Sequence, residues 1–289
     1  MQVHSFLHSD TETYSHVLAD VQQQVCAIID PVLDFDAKSG HTSTTSVDEV
    51  IAFVREHGWS LAYIIETHAH ADHLSAAIHV KEALGGQLVI GQHITDVQKT
   101  FKQIFNFDMS FRTDASQFDI LTDDGDILML GDITITAMYV PGHTQADMAY
   151  LAVDDKKSAL FVGDTLFAPD VGTARCDFPG GDAKTLYQSI QKLLALPEDT
   201  MIYLCHDYPS QGRKHCPTTT VAAQKMGNIH VKSGINEAEF VQMRERRDAT
   251  LAMPRLIIPA VQVNIDAGHL PQPEDNGVRY LKVPLNVLE

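Results

Sequence analysis

The chain has 289 residues, of which 44% are hydrophobic, and this is enough to bury a substantial core in one large domain or two small ones. Its formal net charge of −17 disfavours binding to nucleic acids and to anionic membranes, because like charges repel. No apolar run reaches the length of about 18 residues that predicts a transmembrane helix.

The N-terminus and the cysteines indicate a reducing compartment. The opening residues, MQVHSFLHSDTETYSHVLAD, lack the basic segment and apolar core of a secretory signal. Four cysteines are scattered without CxxC spacing, which argues against a disulfide scaffold or a zinc ribbon. We therefore expect a cytoplasmic protein, and the lack of a presequence favours a bacterial one.

Short apolar runs and amphipathic segments alternate along the chain. Residues 25–30 (VCAIID) predict a buried strand, and residues 46–58 predict a helix in which Ser46 and Glu49 form a capping box. The later elements are predicted in this order: strand 61–67, helix 74–86, strand 87–91, a hairpin over 126–140 that turns at Gly131 and Asp132, a hairpin over 149–163 that turns at residues 154–157, helix 182–196, strand 201–205 and helix 236–252.

The interspersed hairpins predict mixed sheets with helices outside, rather than a doubly wound parallel sheet. No linker divides the chain, so we expect a single domain over residues 1–289. From about residue 211 we expect an irregular, Pro-rich C-terminal extension.

Ionisable residues follow several of the predicted strands. The stretch THAHADH (67–73) comes directly after an apolar strand, and three further apolar runs are each followed by an ionisable residue in VPGHTQADM, FVGDTLF and YLCHDY. Strand ends hold side chains rigidly while loops leave them accessible, as a metal site requires. Imidazoles together with carboxylates suit zinc, iron or manganese. The candidate metal residues are His68, His70, Asp72, His73, His143, Asp164 and His206.

This combined pattern, over residues of roughly 20 to 210, resembles the metallo-β-lactamase superfamily. The resemblance implies an α+β fold, an αββα sandwich of two mixed β-sheets flanked by helices, with the metal at one edge between the sheets. Within the superfamily, the stretches THAHADH, PGHT, GDTLF, ARCDF, KTLYQSI and CHDY resemble the persulfide dioxygenases. Typical glyoxalase II enzymes share HxHxDH but usually carry GHEY where this chain has CHDY. The segment GTARCDFPGGDA is longer than the dioxygenases' usual GCGRTDF.

The dioxygenase resemblance implies one Fe(II) held by His68, His143 and Asp164, a 2-His-1-carboxylate set that leaves three positions open. The other four metal candidates would then surround the ligands and orient them. The implied reaction converts glutathione persulfide, O2 and water into glutathione and sulfite. A homodimer is also expected from the family.

A dinuclear zinc hydrolase of the glyoxalase II kind can be built from the same seven residues. His68, His70 and His143 would hold one zinc, Asp164 would bridge, and an ionised water would attack a thioester. The second zinc would be held by Asp72, His73 and His206. Another hydrolase on this fold is a weaker alternative. A non-catalytic metal-binding protein is also weaker, because a site that has lost its activity often loses ligands, whereas all seven candidates are present here.

Other residues near these motifs have two interpretations each. Arg175 either steadies an anionic substrate or pairs with Asp177, and Tyr208 either faces the pocket, which we prefer, or fills the core. Arg213 and Lys214 either meet glutathione carboxylates or, as we expect, form a solvated loop. Cys205 is expected to be a small buried hydrophobe rather than a nucleophile, and His79 to serve in packing or lie on the surface. Cys176 is expected to be more exposed, and its reactivity depends on its thiolate character.

Overall fold

Two six-stranded sheets pack face to face in the computed structural model, which describes residues 1–209 and 212–287. The elements, in chain order, are β1 (Gln2–His8), β2 (Thr13–Asp20), β3 (Val25–Ile29), β4 (Val32–Asp36), β5 (His41–Ser43), α1 (Thr45–Glu56), β6 (Ser60–Ile65), β7 (Leu74–Ser75), α2 (Ala77–Leu84), β8 (Gln87–Gly91), α3 (Ile94–Ile104), β9 (Ile120–Thr122), β10 (Ile127–Leu130), β11 (Ile133–Tyr139), β12 (Met148–Val153), β13 (Ser158–Phe161), α4 (Ala183–Leu194), β14 (Met201–Tyr203), β15 (Thr218–Thr220), α5 (Val221–Gly227), α6 (Glu237–Asp248) and α7 (Ile257–Asn264).

The N-terminal sheet has the strand order β1-β2-β3-β6-β8-β9, and the C-terminal sheet runs from β10 to β15 in sequence order. In the N-terminal sheet β1, β2 and β3 are antiparallel, whereas β3, β6, β8 and β9 are parallel. In the C-terminal sheet only β13 and β14 are parallel. A small sheet, β5-β4-β7, lies beside them. Both large sheets are mixed, as predicted.

Three apolar clusters hold the layers together. One lies between the two sheets, where side chains of β2, β3 and β6 meet those of β10 to β13. A second lies under α1, α2, α3 and α7 on the outer face of the N-terminal sheet, and a third lies under α4, α5 and α6 on the outer face of the C-terminal sheet. Helix α1 illustrates why the helices pack on the sheets, since its four buried side chains, at positions 47, 50, 51 and 54, form one apolar stripe at helical spacing. The expected αββα sandwich is confirmed.

The capping box predicted for the first helix is wrong. Helix α1 begins at Thr45, and its N-cap, Thr44, makes no side-chain capping bond. Ser46 instead donates to Asp34 from its backbone N at 3.0 Å and its Oγ at 2.5 Å, so a side chain of β4 satisfies these groups. A capping box does form at the start of α6, between Asn236 and Glu239.

The region expected to be an irregular extension contains three helices. Strand β15 and helices α5, α6 and α7 lie there, and the last described residues, from Ile265 to 287, form neither helix nor strand. The expected boundary, residue 211, lies outside the described residues. Helix α7 packs into the core beneath the N-terminal sheet and touches β7. None of the helices in the described ranges is both long and apolar enough to cross a bilayer.

Candidate metal centre

The predicted metal residues converge at one edge of the sandwich, each on a loop that follows a strand. The loop after β6 carries residues 68–73, and the loop after β11 carries His143. The loops after β13 and β14 carry Asp164 and His206, and these two strands are parallel neighbours, so their carboxyl ends meet at the same edge. Because β6 belongs to the other sheet, the site lies between the sheets.

His68, His143 and Asp164 form one compact set. The Oδ2 atom of Asp164 lies 3.6 Å from Nε2 of His143 and 3.9 Å from Nε2 of His68. One ligand atom from each residue lies within 4.8 Å of the other two, and all three residues are buried. The predicted 2-His-1-carboxylate set is therefore spatially assembled.

Asp164 also belongs to a second set, with Asp72 and His206. Nε2 of His206 lies 3.1 Å from Oδ2 of Asp72 and 3.3 Å from Oδ1 of Asp164. The carboxylate of Asp164 thus turns one oxygen toward each set. His70 and His73 lie close by, since they share a third group with His206 and Cys205 in which ligand atoms lie within 4.8 Å of one another.

The imidazoles present unpartnered nitrogens at this edge. Nε2 of His68, Nδ1 of His70, Nε2 of His73 and Nε2 of His206 are buried without a hydrogen-bond partner among the described residues. A buried polar atom without a partner costs free energy, so such a cluster requires an explanation. Metal ions bind through such nitrogen lone pairs, and this set of donors therefore fits a metal centre.

Hydrogen bonds on the far side of each ring leave these nitrogens free. Nδ1 of His143 donates to the carbonyl oxygen of Arg175 at 2.7 Å. Nδ1 of His206 lies 3.2 Å from Oγ1 of Thr13, and Nδ1 of His68 lies 3.1 Å from Oγ1 of Thr67. A ring that keeps its proton on Nδ1 offers the lone pair of Nε2 to a metal.

The electrostatics favour a metal-binding form for His68 and His73 and differ at His70. Burial and the neighbouring histidines lower the pKa of His68 and of His73 well below the usual range, so both rings are neutral. Burial also lowers the pKa of His70, but the carboxylates of Asp30 and Glu66 outweigh it and hold that pKa well above its usual value. Their oxygens lie 3.1 Å and 3.5 Å from Nε2 of His70.

Asp30 and Glu66 are functional candidates that the sequence reasoning missed. Asp30 directly follows β3 and accepts hydrogen bonds from Thr67 N at 2.8 Å and from Thr67 Oγ1 at 2.9 Å. Its backbone has φ of 50°, in the left-handed region where Asp is one of the tolerated residues. The signal was present in VCAIID, where an ionisable residue follows an apolar strand, as in the other four clusters.

A cavity of about 370 Å³ opens onto the metal centre. Asp72, His143 and Asp164 form part of its wall, and Tyr208, 38% exposed, also lines it, as preferred. Its remaining walls are formed by Asp10, Thr11, Ala71, Phe167, Val171, Thr173, Ala174, Arg175, Phe178, Arg244, Arg247, Leu251, Pro254 and Arg255.

The arginines of this region differ in what binds them. Arg175 lines the cavity, but its guanidinium is held by Asp177 through two bonds of 2.6 Å. Arg213 is paired with Asp170 and Asp207 and does not line the cavity, and neither does Lys214. Arg247 and Arg255 do line it, and neither makes an ion pair within the described part of the chain. The free positive charge at the cavity is thus on α6 and just before α7.

Cys205 lies in the group that His70, His73 and His206 form, whereas His79 lies at the surface. Cys205 is 1% exposed, as expected, and burial raises its thiol pKa well above the usual value. Cys176 was expected to be exposed, but this is wrong: it is 7% exposed, and its backbone N donates to Asp248 at 3.0 Å. His79 pairs with Asp48 at the surface, at 2.9 Å.

Comparison with known proteins supports this architecture. The family model for the metallo-beta-lactamase superfamily matches residues 15–206. The chain is 52% identical to a probable metallo-hydrolase of Burkholderia pseudomallei, over all of both chains. It is 45% identical to a Dictyostelium discoideum protein named glyoxylase B2, over 100% of this chain and 98% of the relative.

More distant matches carry a different name. The human mitochondrial persulfide dioxygenase ETHE1 is 28% identical, over 89% of this chain and 84% of the relative. The crystal structure of ETHE1 from Myxococcus xanthus superposes with a TM-score of 0.73 at 29% identity, covering 93% of this chain and 100% of that one. With the family model matching well over half of its length, the chain belongs to the metallo-beta-lactamase superfamily.

Proposed function

We propose that the protein is an Fe(II)-dependent persulfide dioxygenase that converts glutathione persulfide, O2 and water into glutathione and sulfite. The observation that carries the proposal is the assembled set of His68, His143 and Asp164, two of whose members line the cavity. Three protein ligands leave three positions of an octahedral ion for reactants. The similarity to persulfide dioxygenases over most of the chain supports the same reaction.

The reaction balances without a further oxidant. The bond between the two sulfur atoms of the persulfide breaks, the outer sulfur leaves as sulfite, and the inner sulfur leaves as the glutathione thiol. Two of the three sulfite oxygens correspond to O2 and the third to water. A bound Fe(II) would supply the redox chemistry that joins oxygen to the outer sulfur.

The residues of the chain bind the metal and the substrate. The carbonyl oxygen of Arg175 holds the proton on Nδ1 of His143, which keeps Nε2 available as a ligand. Phe167 and Phe178 give the cavity an apolar wall that limits the entry of water. Arg247 and Arg255, which make no ion pair with any residue that the structure describes, place two guanidinium groups where the carboxylates of glutathione would bind, against the repulsion of an acidic chain.

The test compares the two metals directly. Anaerobically purified protein is loaded with Fe(II) or with Zn(II), and O2 uptake is followed on adding glutathione persulfide. We expect uptake only with iron, one O2 consumed for each sulfite formed. An iron-loaded protein that takes up no O2 contradicts the proposal.

A dinuclear zinc thioester hydrolase is the second candidate, because Asp164 turns one oxygen toward each of two ligand sets. The unpartnered nitrogens of His70, His73 and His206 fit additional metal ligands. The relative named glyoxylase B2 also supports this alternative. Hydrolysis of S-lactoylglutathione by the zinc-loaded protein, together with two zinc ions per chain, would favour it over the dioxygenase.

A further inference from the structure

One buried amide on the last helix contacts the backbone of the loop that carries the metal candidates. Asn264, the last residue of α7, donates from Nδ2 to the carbonyl oxygen of His70 and to that of His73, both at 2.8 Å. Its Oδ1 atom accepts from the backbone N of Ser75 at 2.7 Å. All three bonds of this side chain, which is 4% exposed, are to the segment 70–75.

The chemistry of the position requires an amide. Two carbonyl oxygens and one N–H face the side chain, so it must donate twice and accept once. A carboxylate could accept from Ser75 but would set its second oxygen against the carbonyls of His70 and His73. An apolar residue of similar size would leave three backbone groups buried without hydrogen-bond partners, which destabilises this arrangement of the loop.

The three hydrogen bonds of Asn264, here called the Asn264 clamp, hold the backbone of residues 70–75, which sets the direction of the side chains of His70, Asp72 and His73. The two carbonyls lie on either side of Asp72, so holding both sets the path of the backbone between them. The same clamp reaches the far side of His70, because Ser75 Oγ donates to Glu66, whose other oxygen lies 3.5 Å from His70 Nε2.

Helix α7, which carries Asn264, is itself held in place by packing and by a hydrogen bond from α3. Gln98 of α3 donates to the carbonyl oxygen of Ile265 at 2.8 Å, next to Asn264. The buried face of α7, including Ala260 and Val261, packs into the cluster beneath the N-terminal sheet. A side chain on a fixed helix can transmit its position to a loop, as supporting residues do around metal ligands.

We propose that Asn264 is a positioning residue for the metal centre and that α7 is an integral part of that centre. Helix α7 lies beyond residues 15–206, the part of the chain that the family model matches. The proposal holds for either reaction, because it concerns the direction of the ligands and not the chemistry performed. Loss of such supporting contacts commonly weakens metal binding about 10- to 100-fold.

The test uses the full-length protein and two variants of the clamp, Asn264→Leu and Asn264→Asp. Gln262→Leu is the matched control: Gln262 lies on the same helix, is also 4% exposed, and makes three backbone bonds, to Ile258 and Lys282. The readouts are the dissociation constants of Fe(II) and Zn(II), by competition with a chromophoric chelator, and the Tm of the metal-free protein.

We expect all three variants to lower the Tm of the metal-free protein, and only the two Asn264 variants to raise the metal dissociation constant, by about 10- to 100-fold. A dissociation constant within threefold of the unaltered protein in both Asn264 variants overturns the proposal. An equal rise in Gln262→Leu also overturns it, since the effect would then belong to the helix as a whole.

Two further measurements cover a variant that does not fold. Asn264→Ser is smaller and polar, admits water to the three backbone groups, and carries the same expected rise. In the unaltered metal-free protein, the Ser75 amide is expected to exchange with solvent as slowly as the Val80 amide of α2, which is bonded to Ala76 O at 3.0 Å. Rapid exchange at Ser75 would show that the clamp does not hold the loop.

Discussion

The carboxylate of Asp30 lies 3.1 Å from Nε2 of His70, on the side of the ring away from the cluster of unpartnered nitrogens. Both residues are buried, and Asp30 also binds the backbone and hydroxyl of Thr67. One residue at the end of β3 therefore orients the imidazole of His70 and the start of the loop that contains it. This relationship has an energetic consequence that can be measured.

Replacement of Asp30 by Asn removes a buried charge that His70 faces. We expect Asp30→Asn to lower the free energy of unfolding of the metal-free protein by about 3 kcal/mol, because it leaves a buried imidazolium without its nearest counter-charge. Urea denaturation measures this. Asp48→Asn is the control, since Asp48 pairs with His79 at 2.9 Å in an exposed position, and we expect a change below about 0.5 kcal/mol. Equal losses in both variants would contradict the importance of burial.

Replacement of single ligand candidates separates one metal from two. If the proposed dioxygenase is right, His143→Ala loses both iron and O2 uptake. His206→Ala is expected to keep one iron per chain and to lose about 10- to 100-fold in rate, as loss of a supporting residue does. Iron per chain by elemental analysis and O2 uptake by electrode measure the two outcomes. A His206→Ala protein that loses all activity and half of its metal would favour the dinuclear site.

Arg247 and Arg255 line the cavity, so the proposed function predicts that removing either charge weakens the binding of an anionic substrate. We expect Arg247→Gln and Arg255→Gln each to raise KM for glutathione persulfide about 10- to 100-fold and to leave kcat within about twofold, since a charge-assisted hydrogen bond contributes about 1.5–3 kcal/mol. Steady-state O2 uptake gives both constants. Arg246→Gln removes the same charge from α6 but does not line the cavity, and its KM is expected to be unchanged. A matching rise in Arg246→Gln would assign the effect to net charge alone.

The close packing of Gly142, next to His143, against helix α4 leaves no room for a side chain. It has φ of 139°, and a Cβ atom there would lie 2.3 Å from the backbone N and Cα of Leu186 in α4. Gly142→Ala would therefore push the loop away from the helix. Gly125→Ala is the control for backbone strain alone, since Gly125 has φ of 87° with nothing within 4 Å of the added Cβ. We expect Gly142→Ala to lose about 1–3 kcal/mol more than Gly125→Ala in urea denaturation.

Much of this fold was predictable because its local signals are strong. The stripe on α1 and the two hairpin turns follow directly from spacing and turn chemistry, and the pairing of Leu130 with Ile133 and of Val153 with Ser158 confirms both turns. The metal candidates were found because a polar residue that ends an apolar strand is unusual. Residues from distant parts of the chain could be grouped by that one property.

The missed elements lack such local signals. Strand β2 is buried along its whole length, yet it contains Thr13, Ser15, His16 and Asp20, which hide any apolar alternation. His16 is accommodated because its Nε2 lies 2.9 Å from the carbonyl oxygen of Leu204, far away in the sequence, and its Nδ1 lies 2.9 Å from Oγ of Ser5. Asn264 is likewise ordinary in its local context, and its partners lie more than 180 residues earlier in the chain. Contacts of this kind depend on the assembled fold.

The placement of the ligand loops at the junction of the two sheets links folding to metal supply. If the proposed ligands are right, an ion held by His68 from one sheet and by His143 and Asp164 from the other would join the halves of the sandwich, and the unfolded chain cannot reproduce that arrangement. Binding at a free metal concentration a thousandfold above the dissociation constant adds about 4 kcal/mol to stability. A cell short of the metal would therefore hold less of the folded protein, because the metal-free chain unfolds more often and is degraded more readily.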